Sequence, residues 1–400
     1  MSPLGSLCDL ITKGTTPTSI GRTFTNAGVV FLKAESIGES GRPVSEKVAY
    51  IDDCTHRLLR RSQLAVGDLL ISIAGVLGRV GFVEECDLPA NTNQALALVR
   101  LSNPSRLQRN LLFYFLRSPV VEKQIRNINV QAAQANISLK NVRDFIVPIP
   151  HRESEQRAIA TALSDVDALL DALDRLIAKK RDLKQAAMQQ LLTGKTRLPG
   201  YNGKWAVKRL GDVGVFSKGR GIRKDEVVAD GLPCVRYGEI YTHHNDHVRA
   251  FNSFITPETA KQSQRLEQGD LLFAVSGETC EEIGKCVAFL WDLEAYAGGD
   301  IVIFRSIGQS PEFMGYLLNH SSVASQKARL GQGDLVVHIS ARNLARLELH
   351  LPRFDEQSAI AAVLSDMDAE LTALTQRRDK TRALKQGMMQ ELLTGRTRLV

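Results

Sequence analysis

The chain of 400 residues has little of what marks secreted, membrane-spanning or disulfide-stabilised proteins. Its six cysteines show no paired spacing, so we expect free thiols rather than disulfides or zinc ligands. It has no apolar run of about 18 residues, the minimum for a transmembrane helix. Its start, Met1-Ser2-Pro3, lacks the basic and apolar regions of a signal peptide. These absences predict a soluble, cytoplasmic protein.

Two further deficits limit its chemistry. The chain contains no Pro-Pro dipeptide, which excludes the Asn/Asp-Pro-Pro-aromatic loop that holds a flipped base in adenine methyltransferases. Its formal net charge is only +7, so a polyanionic partner is favoured, but weakly.

What the chain does have is a long internal repeat. Residues 155–198 return as residues 356–399 without a gap, and 27 of the 44 positions are identical when counted pair by pair. A period of about 200 residues is far too long for a solenoid, so it indicates that a whole domain with its connector was doubled.

The rest of each half repeats more faintly. Lys13-Gly14 corresponds to Lys218-Gly219 at an offset of 205, and Gly67-Asp68 corresponds to Gly269-Asp270 at an offset of 202. Scaffold positions match while the residues between them differ. The pattern predicts four segments: a globular domain at 1–150, a helix at 151–198, a second globular domain at 199–352 and a second helix at 353–400.

The duplicated segments carry apolar residues at steps of three and four, which is the seam of a coiled coil or bundle helix. Gly194 and Gly395 follow them as helix stops. Such a helix of about 38 residues, roughly 57 Å long at 1.5 Å per residue, cannot bury its stripe alone. We expect the two copies to pair antiparallel as spacers; the alternative is that each packs on its own domain. The predicted seam consists of Ile159, Leu163, Val166, Leu170, Leu173, Ile177, Leu183 and Leu191 in the first copy, and Ile360, Leu364, Met367, Leu371, Leu374, Leu384, Met388 and Leu392 in the second.

The globular segments alternate short β-type runs with turn residues, which favours twisted, loop-rich β domains with some helix. One helix is predicted at 106–126, and its counterpart at 311–330. The fold class expected is therefore α+β: two β-rich domains separated by two long antiparallel helices, with a pseudo-two-fold relation.

These residues resemble the specificity subunits of type I restriction-modification enzymes over essentially the whole chain. The resemblance is carried by Pro148-Ile149-Pro150 leading into Glu155-Gln156, by Leu351-Pro352 leading into Glu356-Gln357, and by the two Gly-Asp turns. One departure is the first domain, which begins at Leu4-Gly5 without the tryptophan-bearing lead-in that precedes Leu210. Its extreme N-terminus is therefore expected to be trimmed or weakly ordered.

The resemblance implies a DNA-binding, non-catalytic subunit with two target recognition domains, each reading half of a bipartite double-stranded DNA site. It implies two methyltransferase subunits that modify adenine N6 with S-adenosylmethionine, and motor-nuclease restriction subunits that use ATP and Mg²⁺. The alternative is a non-enzymatic adaptor that joins proteins through the helical pair.

No catalytic constellation recurs in both halves. Gly194-Lys195-Thr196 looks like the end of a phosphate-binding loop, but position 189 is Gln rather than Gly and the second copy reads Gly395-Arg396-Thr397. His243, His244 and His247 could suggest a metal site, but no cysteine stands at ligand spacing and the first copy lacks them. We expect no cofactor and no metal in this chain.

Residues that read bases should be polar, should lie in loops beside scaffold matches and should differ between the copies, because Arg and Lys suit guanine whereas Asn and Gln suit adenine. In the first domain these are Lys13, Thr15, Thr16, Lys33, Asn91, Asn93, Gln94, Gln131, Gln134 and Asn136. In the second domain they are Lys218, Arg220, Arg223, Lys224, Arg236, Tyr237 and Gln332.

Overall fold

The structure is a computed structural model that describes residues 2–102, 106–129, 136–333 and 336–399. The chain divides into two compact units. Unit 1 consists of Met1–Arg175 with Thr375–Val400, and unit 2 is Leu176–Leu374. Each unit thus contains one globular part and segments of both duplicated helices.

The globular part of unit 1 is built on short strands. They are β1 (Ser2–Pro3), β2 (Cys8–Lys13), β3 (Val29–Leu32), β4 (Ala49–Ile51), β5 (Leu69–Ser72), β6 (Val80–Phe82), β7 (Ala90–Thr92), β8 (Leu96–Leu101) and β9 (Ile146–Val147). One sheet has the antiparallel order β2-β8-β5-β6, and another has the order β4-β3-β7, in which β3 and β7 run parallel. Strands β1 and β9 pair antiparallel, so the prediction of a weakly ordered N-terminus is wrong from Ser2 onward.

Five helices complete the first half of the chain. They are α1 (Asp53–Leu58), α2 (Arg106–Leu116), α3 (Pro119–Asn129), α4 (Leu139–Asp144) and α5 (Glu153–Leu191). The single helix expected at 106–126 is broken into α2 and α3, because Pro119 has no amide hydrogen to continue α2 and its ring would clash with the preceding turn.

Unit 2 repeats this plan with more strands. They are β10 (Ala206–Arg209), β11 (Gly214–Lys218), β12 (Val227–Val228), β13 (Leu232–Val235), β14 (Ser253–Ile255), β15 (Gln264–Arg265), β16 (Asp270–Ala274), β17 (Ser276–Gly277), β18 (Cys286–Ala288), β19 (Tyr296–Ala297), β20 (Ile301–Ser306), β21 (Val337–His338) and β22 (Glu348–Leu351). The order β11-β20-β16-β18 matches β2-β8-β5-β6, and the parallel pair β13 and β19 matches β3 and β7. The repeat in sequence is therefore a repeat in fold.

The helices of the second half are α6 (Tyr237–Thr242), α7 (Pro257–Ala260), α8 (Pro311–Asn319), α9 (Ser321–Leu330), α10 (Ala341–Leu344) and α11 (Phe354–Leu392). The helix expected at 311–330 is again two helices. Here His320 adopts an extended conformation and its ring caps α9 by accepting a hydrogen bond from the Ser322 amide, 3.3 Å away. No helix in the described part of the chain is both long and apolar enough to cross a membrane.

The duplicated helices α5 and α11 are each 39 residues long. The core of unit 1 contains Ile159 and Leu163 from α5 together with Leu392 from α11. The core of unit 2 contains Leu191 from α5 together with Ile360 and Leu364 from α11. Each helix therefore packs on its own domain at its start and on the other domain at its end, which combines the two arrangements considered from the sequence.

Most of the predicted seam is buried or half-buried, but two positions are wrong. Leu183 is 46% exposed and Leu384 is 59% exposed. The neighbouring lysines Lys184 and Lys385 turn inward instead, because each forms an ion pair with an aspartate of the other long helix. The α+β class, with two β-rich domains joined by long antiparallel helices, is confirmed.

The most strongly repeated motifs bind each other reciprocally. Arg398 makes a two-pronged ion pair with the buried carboxylate of Glu155 in unit 1. Arg197 does the same with Glu356 in unit 2, at 2.5 Å for both contacts. The Glu-Gln at the start of one copy is thus held by the Thr-Arg-Leu at the end of the other copy.

Candidate nucleic-acid interface

In unit 1 the candidate residues gather where two parallel strands end. Leu32 of β3 lies beside Thr92 of β7, so Lys33 and Asn93 emerge at the same edge of the sheet. Parallel strands present their carboxyl ends together, and in open α/β sheets that edge is where ligands bind. Here the two parallel strands place side chains from distant parts of the sequence side by side.

Gly14 brings a third segment to this edge. Its amide donates a hydrogen bond to the Asn93 carbonyl, 3.1 Å away. A Cβ atom at position 14 would lie 1.9 Å from the Thr92 carbonyl oxygen, so only glycine allows this crossing. Thr15 and Thr16 therefore lie at this edge, where the Thr16 hydroxyl donates a hydrogen bond to the Gln94 side-chain oxygen.

A basic segment that the sequence analysis missed supports the same loop. The Thr15 amide donates to the Ser62 hydroxyl at 2.8 Å, and Arg61 reaches the Thr15 hydroxyl at 3.4 Å. Arg57 and Arg60 are exposed on the same segment. The signal was present, because three arginines stand within five positions from 57 to 61.

Asn136 joins the edge through the backbone. Its neighbour Ile137 donates to the Ile73 carbonyl at 2.9 Å, and Ile73 donates to the Ala95 carbonyl at 2.8 Å. Asn136 itself is exposed and forms an isolated bridge with Ala74. Gln131 and Gln134 lie outside the described residues.

Two candidates of the first domain need revision. Asn91 is fully buried; its amide donates to the Leu59 carbonyl at 3.2 Å and its oxygen meets the His56 ring. It fixes the fold and cannot touch a base, so its selection was wrong. Lys33 is half-buried, 3.9 Å from Glu35 and 4.8 Å from the centre of the Phe24 ring, but part of its side chain stays accessible.

Unit 2 repeats the crossing with different side chains. Val235 of β13 lies beside Ala297 of β19, and Gly219 donates to the Ile301 carbonyl at 2.9 Å. A Cβ at position 219 would lie 2.0 Å from the Gly298 carbonyl oxygen. As at Gly14, only glycine allows this close approach to the end of the parallel pair, although the hydrogen-bond acceptor differs, and the surface residues are now basic.

The loop after Gly219 is held in an unusual conformation. Gly299 donates to the Gly221 carbonyl at 3.1 Å, and Ile222 has a φ of 59°, which is costly for a β-branched residue. The Ile222 side chain is buried, so the basic residues on both sides stay at the surface. Four basic side chains of this loop have no carboxylate within ion-pair distance among the described residues. They are Lys218, Arg220, Arg223 and Lys224.

Arg236 and Tyr237 begin α6 at the end of the parallel pair. The Arg236 amide donates to a Glu239 side-chain oxygen at 3.4 Å, and Glu239 is itself buried. Tyr237 is 43% exposed. Tyr241 anchors the helix by donating its hydroxyl to the Ala274 carbonyl at 3.3 Å, and burial raises the pKa of Tyr241 to about 12, so it remains a donor at neutral pH.

Gln332 is exposed and is bridged through its backbone to His338. His338 and Ser276 occupy the places of Asn136 and Ala74, at the repeat offset of 202, and their side chains are 3.0 Å apart. Sequence reasoning missed this pair. Applying the offset to Asn136 would have found His338.

The sequence drew attention to His243, His244 and His247 of unit 2. Within the described ranges, no three His, Cys, Asp or Glu side chains are placed to share an ion. His244 is buried, and burial lowers its pKa to about 4, so its ring is neutral. His243 is exposed.

Comparison with known proteins decides the family. The model of the type I restriction modification DNA specificity domain matches residues 1–180 and 202–382. The chain belongs to the type I specificity subunits. It is 22% identical over 327 residues to the type I restriction enzyme MjaVIII specificity subunit of Methanocaldococcus jannaschii, covering 76% of this chain and 73% of that protein.

Two solved structures share the fold of this specificity subunit. The S subunit from M. genitalium has a TM-score of 0.61 at 15% identity, with 98% of this chain and 95% of that chain covered. A chain from the study of complex assembly in a type I R-M system has a TM-score of 0.58 at 17% identity, with 98% and 96% covered. Specificity subunits are the non-catalytic components of type I systems.

Proposed function

We propose that each unit of this specificity subunit reads one half of a bipartite double-stranded DNA target. One observation carries this proposal: both units bring three segments together through the close approach of a glycine, Gly14 or Gly219, to the end of the parallel pair, and then present different side chains there. A shared backbone with divergent polar residues is what two independent readers of different base sequences need.

The side chains suit base edges of two kinds. The edge of unit 1 offers Asn93, Gln94 and Asn136, whose amides match the donor and acceptor pattern of adenine. The edge of unit 2 offers Arg220, Arg223 and Arg236, whose guanidinium groups match guanine. Lysines such as Lys13 and Lys218 fit phosphates, which position the protein without reading sequence.

The long helices would set the number of base pairs between the half-sites and dock two methyltransferase subunits. S-adenosylmethionine would then be bound by those subunits, and ATP with Mg²⁺ by the motor-nuclease subunits, so that the complex methylates adenine N6 or cleaves DNA. Such a complex would act in the cytoplasm. The duplication supports this stoichiometry, because each half of the chain offers an equivalent helix.

An Arg236→Ala variant tests the reading role. The variant, assembled with the methyltransferase subunits, is given a library of bipartite duplexes, and methylation is read by sequencing. We expect relaxed selectivity at one half-site, by about 10- to 100-fold at one position, because a bidentate arginine contributes about 1–3 kcal/mol of discrimination. Arg346→Ala, an exposed arginine of unit 2 outside the interface, is the matched control.

Equal loss at both half-sites would contradict the assignment of one half-site to each unit. An exchange of residues 1–150 for those of a relative provides a second test, since it should change only half of the target. Absence of any DNA binding, with or without methyltransferase subunits, would instead favour the adaptor that joins proteins through its helices.

A further inference from the structure

Each long helix places a lysine inside the protein next to an exposed leucine. Lys385 of α11 has a side chain that is only 12% exposed, and the side chain of Lys184 of α5 is 14% exposed. The apolar pattern predicts the neighbours, Leu384 and Leu183, at these inward positions. Something other than apolar burial therefore selects the face that each helix turns inward.

In unit 1 three residues from three elements meet. The Lys385 ammonium lies 2.5 Å from Asp167 Oδ1 of α5, and the Tyr114 hydroxyl of α2 donates to Asp167 Oδ2 at 2.8 Å. The same ammonium lies 5.6 Å from the centre of the Tyr114 ring. We call Lys385, Asp167 and Tyr114 the first polar cluster.

Unit 2 contains the equivalent set. Lys184 lies 2.7 Å from Asp368 Oδ1 of α11, and the Tyr316 hydroxyl of α8 donates to Asp368 Oδ2 at 2.8 Å. These three residues, the second polar cluster, are the repeat counterparts of the first. Here Asp246 at 3.5 Å from Lys184 and Arg249 at 2.9 Å from Asp368 extend the set.

The clusters define the antiparallel register of the helices. Moving seven residues along α11, from Lys385 to Arg378, moves seven along α5, from Asp167 to Asp174, and that second pair is 3.6 Å apart. Charge alone would not enforce this alignment, because Asp171 stands one turn from Asp167 on the same helix. Only Asp167 accepts the Tyr114 hydroxyl, so the tyrosine distinguishes the correct turn.

Such clusters are poor sources of stability. Burial lowers the pKa of the Lys385 ammonium and raises that of the Tyr114 hydroxyl, which shows the cost of removing them from water. A buried ion pair replaced by apolar residues of similar size often leaves a protein equally stable or more stable. The best attested use of a buried polar group between helices is to specify register.

We propose that the two polar clusters are positioning devices: they fix the axial register of α5 against α11, and through it the number of base pairs accepted between the two half-sites. The second part rests on the proposed function. A slip of one turn moves one helix about 5.4 Å along the other. At about 3.4 Å per base pair, this corresponds to one or two base pairs of spacer.

The test replaces the first cluster with apolar residues in the variant Lys385→Met/Asp167→Leu/Tyr114→Phe. The register is measured as the distance between spin labels at Thr161 and Gln390, both exposed in unit 1, by double electron–electron resonance. The exposed Cys54, Cys86 and Cys280 are first changed to serine so that they are not labelled. The complex with methyltransferase subunits is then offered targets with spacers of every length. Tyr114→Phe alone keeps the ion pair and is the milder variant; Lys380→Met/Asp165→Leu, exposed on the same helices, is the control.

We expect unchanged or higher melting temperature, a second or broadened distance between the labels, and at least about tenfold more methylation at spacers one or two base pairs off, the change that 1.4 kcal/mol produces. A single unchanged label distance in a folded variant would overturn the register role. A slipped register with unchanged spacer preference would overturn the second part only. Should the unmodified complex show no spacer preference, the proposed function fails and the register result still stands. If the triple variant does not fold, Tyr114→Phe decides by the same readouts.

Discussion

Replacing Lys327 with methionine should stabilise unit 2 at neutral pH. Lys327 lies on α9 and is 2% exposed, with its ammonium 2.6 Å from the Gly284 carbonyl. The equivalent residue of the first repeat is Ile125, which packs against Gly78 as the Lys327 stem packs against Gly284. The fold thus accepts an apolar side chain at this position.

The magnitude follows from the cost of burying the charge. Burial lowers the pKa of Lys327 from 10.5 to about 8. At 1.36 kcal/mol per pKa unit, the charged form costs roughly 3 kcal/mol at pH 7. Loss of the hydrogen bond to Gly284 offsets about 1 kcal/mol of that gain. We expect a net gain of about 2 kcal/mol, or about 4–8 °C in melting temperature for a unit of this size.

The pH dependence gives the effect a signature. Below pH 8 the lysine is charged in both the folded and unfolded states, so the wild type bears the whole cost. Between pH 8 and 10.5 the unfolded state binds more protons, and the stability of the wild type rises with pH. The advantage of Lys327→Met should therefore be complete at pH 7, shrink from pH 8 and be lost at about pH 9.5, where the wild type has regained about 2 kcal/mol at 1.36 kcal/mol per pH unit.

Tryptophan fluorescence is the suitable assay, since both tryptophans, Trp205 and Trp291, belong to unit 2. Urea unfolding at pH 7, 9 and 10 compares the wild type, Lys327→Met and the exposed control Lys179→Met. A variant that is no more stable than the wild type at pH 7, or whose advantage persists unchanged at pH 10, would refute the reasoning.

Two further predictions concern the long helices. Insertion of seven residues after both Arg175 and Leu374 preserves the heptad pattern and adds roughly 10 Å to each helix. The spacer preferred in a methylation assay should then lengthen by about three base pairs. An unchanged spacer would show that the helix length does not set the distance between the half-sites. Residues 1–200 and 201–400 produced as two chains should co-purify as one complex, because Glu155 pairs with Arg398 and Glu356 pairs with Arg197 across the cut. The variant Arg197→Met should weaken this association. Separation of the two unmodified chains at low salt would contradict the reciprocal pairing.

The sequence predicted the large features because they leave periodic signals. The repeat indicated a doubled domain, and the steps of three and four indicated both long helices, which span Glu153–Leu191 and Phe354–Leu392 within the predicted segments 151–198 and 353–400. In the first domain the short β-type runs of the sequence at 29–32, 68–73, 80–83 and 95–101 correspond to β3, β5, β6 and β8 within one residue at each end. Local patterns of this kind are independent of what a segment packs against.

The errors arose where tertiary contacts override the local pattern. Leu183 and Leu384 fit the apolar spacing, but Tyr316 and Tyr114, more than 130 residues away in sequence, bind the lysine beside each leucine through an aspartate. Asn91 looks like a loop amide, yet it is enclosed between His56 and Leu59. The contact between Gly14 and Thr92 also joins distant positions, and the local sequence around either residue does not indicate it.

The reciprocal ion pairs make each duplicated segment depend on the sequence of the other. Each glutamate pairs with an arginine of the other copy, so a change in one segment must suit a partner that lies 159 or 243 residues away in the sequence. Replacement of one globular domain would leave both ion pairs intact, because all four residues belong to the duplicated segments. If each unit reads one half-site, as proposed, the exchange of one domain would change half of the target while the contacts between the long helices stay as they are.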